Sequence, residues 1–439
     1  MPIEYFLTGI KLKRLFGYFW PMGKIRCTNV FEGRIVKSGL ANSRMVLCCL
    51  LTFFCLVLSA QAKETHPAKS KKKNRFVIEV QYSPGKVAPV YPQFPKTLFS
   101  NTIELHLGYQ TAGEQLWNKL FNYPRLGVSL VYQNLGNNQQ LGQQFSIVPT
   151  AYISTAHKEN AKVFADFRYG IGLACFNRPY DSITNTHNLA AGEHFMWQVT
   201  MGVNLHWNFS RYAGFQLGVI WYHASDSHTQ LPNIGVNNFA GCVGLVIYPF
   251  GRAIRTHDQD TAKLDKKWHA NFRFGSGYHE RGSAFGPIGG KKYPVYTGAI
   301  YASKRVAKVI VLKVGAIYRY YPMYLSFIKD QQVFNSNLKL NASAFIVFTG
   351  FEFMLGHFAI SLEAGINVYK PAYKAFYKYY EESTPVNYWT KQLLATRFGG
   401  NYYILDPYKH PRNNVFLGAY VSANSGQAEF LELNVGYVF

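Results

Sequence analysis

The stretch that decides the fold is residues 431–439, LELNVGYVF, at the carboxyl end of the 439-residue chain. Every second residue is apolar and most residues between them are polar or small: Leu431, Leu433, Val435, Tyr437 and Phe439 alternate with Glu432, Asn434, Gly436 and Val438. Successive side chains of a β-strand point to opposite faces. The stretch therefore predicts a strand with one apolar face and one mostly polar face.

The last residue adds a second feature to this strand. The chain ends in Phe439, with Tyr437 two residues before it, and this ending resembles the carboxyl-terminal assembly signal of outer-membrane β-barrels. The resemblance implies that the barrel-assembly machinery inserts the chain. The final strand of a soluble β-sandwich would show the same alternation, but an export signal and the dispersed aromatic residues favour a membrane barrel.

That export signal precedes the strands. The apolar run 46–58 follows Arg44 and Met45 and ends in Ser59-Ala60-Gln61-Ala62, which predicts a cleavable signal peptide at 45–62. An uncleaved anchor in the inner membrane is the alternative. Residues 1–44 are then an upstream extension outside the fold, and 63–74 form a basic periplasmic segment.

The remainder reads as a succession of strands. The chain is 17% aromatic and only 16% charged, and the mature region has no continuous apolar run long enough for a membrane helix. The predicted fold class is all-β, an antiparallel transmembrane β-barrel built as a unit at 75–250, a linker at 251–267 and a second unit at 268–439. About eight strands per unit permit either tandem eight-stranded barrels or one wider barrel of about sixteen strands. The predicted strands are 75–83, 99–111, 122–134, 141–155, 161–176, 193–209, 211–225, 238–250, 268–280, 293–304, 306–321, 339–354, 356–369, 387–404, 413–424 and 427–439.

The charge balance points to a class of partner. The chain has 46 Lys and Arg residues against 23 Asp and Glu residues, a formal net charge of +23. Its sequence has no nucleic-acid-binding motif, so nucleic acid is not an expected partner. A basic surface facing anionic lipid headgroups is the simpler interpretation.

The most informative internal stretch is 221–237, WYHASDSHTQLPNIGVN. His223 and Ser225 are two residues apart at the end of an alternating strand, so both side chains leave the same face. That face is otherwise apolar, since it carries Leu217 and Val219. A serine nucleophile and its base on an apolar outer face suggest a lipid substrate.

This motif resembles that of the PagL-type lipid A 3-O-deacylases, which are eight-stranded outer-membrane barrels of Gram-negative bacteria. The resemblance implies Ser225 as nucleophile, His223 as general base and Asn233 as an oxyanion donor. Asn237 occupies the position of the family's Glu, the third member of the triad, and Asp226 replaces the Asn that follows the nucleophile. Asn237 can still hold the histidine tautomer. Asp226 is a conceivable substitute acid only if the chain has already turned, because adjacent strand residues point to opposite faces.

The chemistry that the motif offers is acyl transfer. His223 would take the Ser225 proton, the serine oxygen would attack a fatty-acyl ester, and water would release the acid. Scattered histidines at no metal-ligand spacing predict neither a metal nor a cofactor. Counting strands from a periplasmic amino terminus places the pair at the extracellular end of the seventh strand, beside the outer leaflet.

Two functions are therefore expected. The first is an outer-membrane lipid A deacylase that hydrolyses an ester-linked acyl chain of lipopolysaccharide. The alternative is a non-catalytic outer-membrane barrel that binds lipopolysaccharide or serves as a pore or scaffold. The second unit is expected to lack catalysis, because Tyr420 and Ala423 stand two residues before Ser422 and Ser425. The sequence leaves open which acyl chain is removed and the oligomeric state.

Overall fold

The computed structural model of the chain describes residues 75–112, 116–155, 161–252, 267–282, 286, 288–380, 385–425 and 427–439. The upstream extension, the signal peptide, the basic segment and most of the linker lie outside these ranges, so those boundaries stay predictions. All described residues belong to one compact unit, Glu64–Phe439.

The first half of the described chain is a closed antiparallel barrel of eight strands. Each strand pairs with the next in sequence, and the first pairs with the eighth in a register that sets Val80 opposite Leu245. A short helix, α1 (Leu116–Leu120), joins the second and third strands. The strands are β1 (Arg75–Val87), β2 (Ser100–Gln110), β3 (Arg125–Asn134), β4 (Gln143–Ser154), β5 (Val163–Phe176), β6 (Phe195–Trp207), β7 (Ala213–Ser225) and β8 (Val236–Ile247).

The second half forms another closed barrel of eight described strands. The final strand pairs with the first strand of this barrel, with Val435 opposite Phe274. The strands are β9 (Trp268–Glu280), β10 (Lys292–Ala307), β11 (Ile310–Tyr320), β12 (Ser343–Leu355), β13 (Phe358–Tyr369), β14 (Leu394–Tyr403), β15 (Asn414–Asn424) and β16 (Gln427–Val438). The tandem arrangement is confirmed, and the single wider barrel is wrong.

The side chains of both barrels alternate between a polar interior and an apolar exterior. On β7, Leu217 and Val219 are each 64% exposed, whereas Gln216 before them and Tyr222 after them are buried inside. A closed sheet leaves no unpaired backbone edge, and an apolar outer face meets lipid without cost. This distribution is the one a membrane-spanning barrel requires.

Charged groups inside the barrels are paired. In the first barrel Arg125 bonds to Glu79 at 3.1 Å and to Asp166 at 2.6 Å. In the second, Glu363 accepts from Arg273 at 2.8 Å and from Lys313 at 2.6 Å. An eight-stranded barrel has an interior just wide enough for side chains to fill. These networks occupy that interior.

The lengths of the connections distinguish the two barrel ends. The end that holds Ser225 carries the connections 88–99, 177–194 and 226–235, whereas the opposite end has short ones such as 208–212 and 308–309. The α1 connection and the connection 404–413 are longer exceptions at that opposite end. Membrane barrels have short periplasmic turns and longer extracellular loops. The end of β7 is therefore the extracellular end.

Four helices cover the extracellular end of the second barrel in the described part of the chain: α2 (Pro322–Gln331), α3 (Leu338–Asn341), α4 (Pro371–Tyr380) and α5 (Pro385–Leu393). Tyr321, Phe327 and Phe376 form part of their buried apolar core. The strand predicted at 387–404 is wrong in its first part, because α5 occupies that part and β14 begins only at Leu394. A single turn of 3₁₀ helix (Pro407–Lys409) lies at the other end. None of the described helices has the length and apolar character needed to cross a membrane.

Candidate active site

The site lies where β7 meets β8 at the extracellular end. The register of this hairpin places His223 directly opposite Asn237. Ser225 is the last residue of β7, and on the other side of the strand Trp197 of β6 pairs with it. Because His223 and Ser225 alternate in step with Leu217 and Val219, all four side chains leave the outer face of the barrel.

Asn237 and Trp221 together fix the imidazole of His223. His223 Nδ1 lies 3.0 Å from Asn237 Oδ1, and Trp221 Nε1 donates to the same oxygen at 3.1 Å. The indole N–H is only a donor, so the Asn237 atom that it meets must be the carbonyl oxygen. His223 Nδ1 must then carry the proton, which leaves Nε2 as the free basic nitrogen.

Ser225 is surrounded by donors. Asn233 Nδ2 donates to Ser225 Oγ at 2.9 Å, and the backbone N–H of Ser227 donates to the same oxygen at 3.1 Å. The hydroxyl of Ser225 in turn donates to Asn233 Oδ1 at 3.3 Å. Two N–H groups therefore converge on the oxygen that would become the nucleophile.

Ser225 and His223 are neighbours without a direct hydrogen bond among the described contacts. Gly235 lies between them: a Cβ built on it would be 3.0 Å from His223 Cε1 and 3.7 Å from Ser225 Cβ. Cε1 is bonded to both ring nitrogens, so the edge of the imidazole that joins them faces Gly235, next to Ser225. A rotation of the Ser225 hydroxyl away from Asn233 is needed to bring the two groups together.

Asp226 turns away from His223. It is buried in the loop after β7, and its Oδ1 accepts the backbone N–H of His228 at 2.9 Å. Burial raises the pKa of Asp226 well above its usual range, with a further contribution from the negative charge of Glu193, while hydrogen bonds from the loop backbone oppose the shift. The carboxyl is neutral in the folded protein when the pH is below this raised pKa, and it belongs to the loop rather than to the His223 network.

The loop 226–235 is held on the loop 177–194 of the same barrel. Ile234 N donates to Leu189 O at 3.2 Å, and Gly235 N donates to Ala190 O at 3.0 Å. Gly235 has a φ of +84°, a conformation that residues with a Cβ adopt at a cost. The glycine permits the chain to turn into β8 while lying close against the imidazole.

An apolar strip runs from the site along the barrel wall. Trp221 stacks on His223 with ring centroids 5.4 Å apart and on Phe239 at 6.4 Å. Below them on the outer face, Leu217 and Val219 are largely exposed. The strip offers a path for an extended hydrocarbon chain from the serine toward the centre of a bilayer.

The described residues contain no group of three or more His, Cys, Asp and Glu side chains placed to hold a metal ion. The arrangement that they do contain is a hydroxyl, an oriented imidazole and two N–H donors, which is the set of groups that acyl transfer needs.

The structure adds three groups to the candidate active site that the motif alone did not identify. Trp221 could have been found from its position two residues before His223 on the same face. Gly235 was visible in the quoted stretch as a turn residue, but its closeness to the imidazole was not. The position of the Ser227 N–H depends on a turn in which Ser227 and His228 both have positive φ. The sequence has no pattern that predicts this backbone conformation.

Comparison with known families gives a match to the first barrel. The model of the lipid A 3-O-deacylase (PagL) family matches residues 101–246. The matched range runs from β2 to β8 and contains all five predicted site residues. It covers less than half of the chain, and the second barrel lies outside it.

Comparison with solved structures finds several outer-membrane barrels. The outer-membrane enzyme PagL is similar at 16% identity, over 38% of this chain and 97% of that chain, with a TM-score of 0.29. The β-domain of the Bordetella autotransporter BrkA is similar at 8% identity, over 83% and 98%, with a TM-score of 0.22. An outer-membrane channel from Pseudomonas putida F1 is similar at 8% identity, over 85% and 99%, with a TM-score of 0.16. Comparison with curated protein sequences gives no match.

Proposed function

We propose, from the match of residues 101–246 to the lipid A 3-O-deacylase family, that the first barrel is a serine esterase that removes an ester-linked acyl chain from lipid A. One observation carries the proposal. The shared acceptor Asn237 Oδ1 is bonded to both Trp221 Nε1 and His223 Nδ1, which leaves Nε2 of His223 as a basic nitrogen on the strand face that also carries Ser225.

The reaction begins when the Ser225 hydroxyl rotates from Asn233 to His223 Nε2. The imidazole takes the proton while the serine oxygen bonds to the ester carbonyl carbon. The carbonyl oxygen becomes an oxyanion, and the N–H groups of Asn233 and Ser227 are then free to donate to it. Collapse of this intermediate breaks the bond to the sugar oxygen, which leaves with the proton from His223.

Water completes the cycle. His223 takes a proton from a water molecule, whose oxygen attacks the acyl-serine ester. The fatty acid departs and Ser225 recovers its proton from His223. Asn237 holds the imidazole throughout, but it carries no charge to stabilise the imidazolium. The proposed enzyme is accordingly slower than one with a carboxylate at that position.

The surroundings of the site fit an anionic lipid substrate in the outer leaflet. The acyl chain lies along the strip of Val219 and Leu217, and the sugar headgroup stays at the level of the extracellular loops. Lys and Arg outnumber Asp and Glu in the chain, also when residues 1–62 are left out, which favours association with lipid phosphates. We place the protein in the outer membrane of a Gram-negative bacterium, exported through the predicted signal peptide and inserted by the barrel-assembly machinery.

A second candidate is a non-catalytic barrel that binds lipopolysaccharide. One observation favours it: the Ser225 hydroxyl donates to Asn233 rather than to His223. A pore is disfavoured in both barrels, because paired charged side chains occupy their interiors.

Mass spectrometry of lipid A from Gram-negative cells expressing the chain separates these functions. The wild type is expected to produce lipid A that lacks one ester-linked acyl chain, and Ser225→Ala to leave lipid A intact at equal levels of folded protein. Intact lipid A in cells with folded wild-type protein would support the binding function instead.

A further inference from the structure

A buried carboxylate of the second barrel contacts the loop that carries Asn233. Glu280, the last residue of β9, is 1% exposed. Its Oε2 accepts the backbone N–H of Leu231 at 2.8 Å, and its own backbone N–H donates to His228 O at 3.1 Å. Two hydrogen bonds therefore join the extracellular edge of the second barrel to the loop 226–235 of the first.

The bonding of Glu280 is unusual for a buried acid. Its other carboxylate oxygen accepts the backbone N–H of Gly290, and no Lys or Arg pairs with it among the described residues. A buried carboxylate is costly unless hydrogen bonds or a cation compensate for the lost water. Here the compensation comes from two backbone N–H groups, one on each barrel. The Glu280 carboxylate thus joins the loop that contains Leu231 to the loop that contains Gly290.

Further contacts at the same level hold the barrels together. Lys292 Nζ lies 2.7 Å from Glu193 Oε1, just before β6. The rings of His228 and His279 have centroids 6.4 Å apart. A Cβ on Gly282 would come within 2.6 Å of Leu231 Cδ1. The loop of the first barrel therefore packs against the second barrel over several residues, and Glu280 supplies its hydrogen bonds.

We infer that the second barrel is a working part of the acyl-transfer site, and that Glu280 is a positioning residue that acts through Leu231 on Asn233. This inference rests on the proposed function. Asn233 is two residues beyond Leu231, so the bond at Leu231 N fixes the chain next to the amide that faces Ser225. In the second barrel, Tyr420 and Ala423 stand where a base would precede Ser422 and Ser425, and the contribution of this barrel to the site is to hold the loop 226–235.

The test uses the full-length chain in detergent micelles, with lipid A as substrate. Glu280→Ala removes both accepted hydrogen bonds, and Glu280→Gln keeps one acceptor oxygen. Glu280→Ala is expected to lower kcat about 10-fold or more with little change in KM, since Asn233 acts on the oxyanion and not on bound substrate. Glu280→Gln is expected to recover part of that loss.

Glu352→Gln is the matched control, because it alters a buried carboxylate of the second barrel that bonds to Lys313 and Asn401 inside the lumen. It is expected to keep kcat at the wild-type value. Equal kcat for Glu280→Ala and the wild type would overturn the inference. An equal loss in Glu352→Gln would also overturn it, since the effect would then be general destabilisation.

Hydrogen exchange of the loop 226–235 separates this inference from the proposed function. Glu280→Ala is expected to increase exchange at Leu231 and its neighbours at least 10-fold, whether or not the protein is an enzyme. If the wild type is inactive but its loop is protected from exchange, and Glu280→Ala removes that protection, the deacylase function is refuted. The positioning role of Glu280 is then retained. If the wild type is active, and Glu280→Ala changes neither the hydrogen exchange of the loop nor kcat, only the positioning role of Glu280 is refuted.

Discussion

Asn237→Asp is expected to raise kcat. The substitution keeps the size of the side chain and places a carboxylate oxygen where Asn237 Oδ1 now lies, 3.0 Å from His223 Nδ1. Trp221 Nε1, at 3.1 Å from the same atom, would donate to the new carboxylate and help to keep it ionised. The perturbation therefore adds one negative charge beside the imidazole without changing its orientation.

The magnitude follows from the strength of that bond. A charge-assisted hydrogen bond contributes about 1.5–3 kcal/mol, whereas a neutral one contributes about 1 kcal/mol. The imidazolium forms only during the reaction, so the difference of about 1–2 kcal/mol lowers the barrier and corresponds to a gain of about 5–30-fold in kcat. Asn237→Leu, of similar size but without an acceptor, leaves two donors unpaired at about 1–3 kcal/mol and is expected to lower kcat about 5–150-fold.

The assay is the initial rate of fatty-acid release from lipid A in detergent micelles at saturating substrate. The two variants should move kcat in opposite directions and leave KM close to the wild-type value. If Asn237→Asp and Asn237→Leu both match the wild type, the proposal that Asn237 orients the base is wrong.

Three further changes probe the same region. Trp221→Phe removes the N–H that fixes the Asn237 amide, and kcat is expected to fall about 5-fold, equivalent to about 1 kcal/mol. Gly235→Ala introduces a Cβ at a φ of +84° and 3.0 Å from His223 Cε1; it should cost about 1–2 kcal/mol of stability and lower kcat, as measured by thermal unfolding and by the rate assay. The pKa of Asp226 is raised in the folded protein. The contribution of Asp226 to stability is therefore complete below the pKa that this carboxyl has in the unfolded chain, and it is lost as the pH rises through the pKa in the folded protein. Asp226→Asn should remove this loss, as measured by thermal unfolding across pH 4–9.

Matched controls sharpen these outcomes. Trp207→Phe removes an indole N–H from the same barrel far from the site, and it should leave kcat unchanged. Gly241→Ala places a Cβ on β8 where no atom lies within 4 Å, and it should lower neither stability nor rate. If Trp207→Phe lowers kcat as much as Trp221→Phe does, or Gly241→Ala as much as Gly235→Ala does, the rate loss does not come from contacts with His223. Parallel pH curves for Asp226→Asn and the wild type would show that Asp226 is not the group that titrates.

The strands were predictable because their period of two is a local property. The final strand, for example, carries its apolar and polar faces in nine consecutive residues. The choice between two barrels and one wider barrel was not predictable, since it depends on the pairing of β1 with β8 and of β9 with β16, which are far apart in sequence. The helices over the second barrel were missed because their aromatic residues pack against one another rather than following a simple alternation.

The candidate active site, like the fold, was predictable from the sequence only in part. His223 and Ser225 share a face by spacing alone, and Asn237 was identified through the family resemblance. The hairpin register then shows why Asn237 meets His223. The Ser227 N–H requires the backbone conformation of the turn, and Glu280 requires the packing of one barrel on the other. Neither leaves a pattern in the sequence near the motif.

The most direct test of the central claim is the rate at which the purified, folded chain releases fatty acid from lipid A, measured for the wild type and for Ser225→Ala. The wild type is expected to release one ester-linked acyl chain per lipid A, and Ser225→Ala to show no release above the lipid alone. Release at the same rate by Ser225→Ala would contradict the claim that Ser225 is the nucleophile of this barrel.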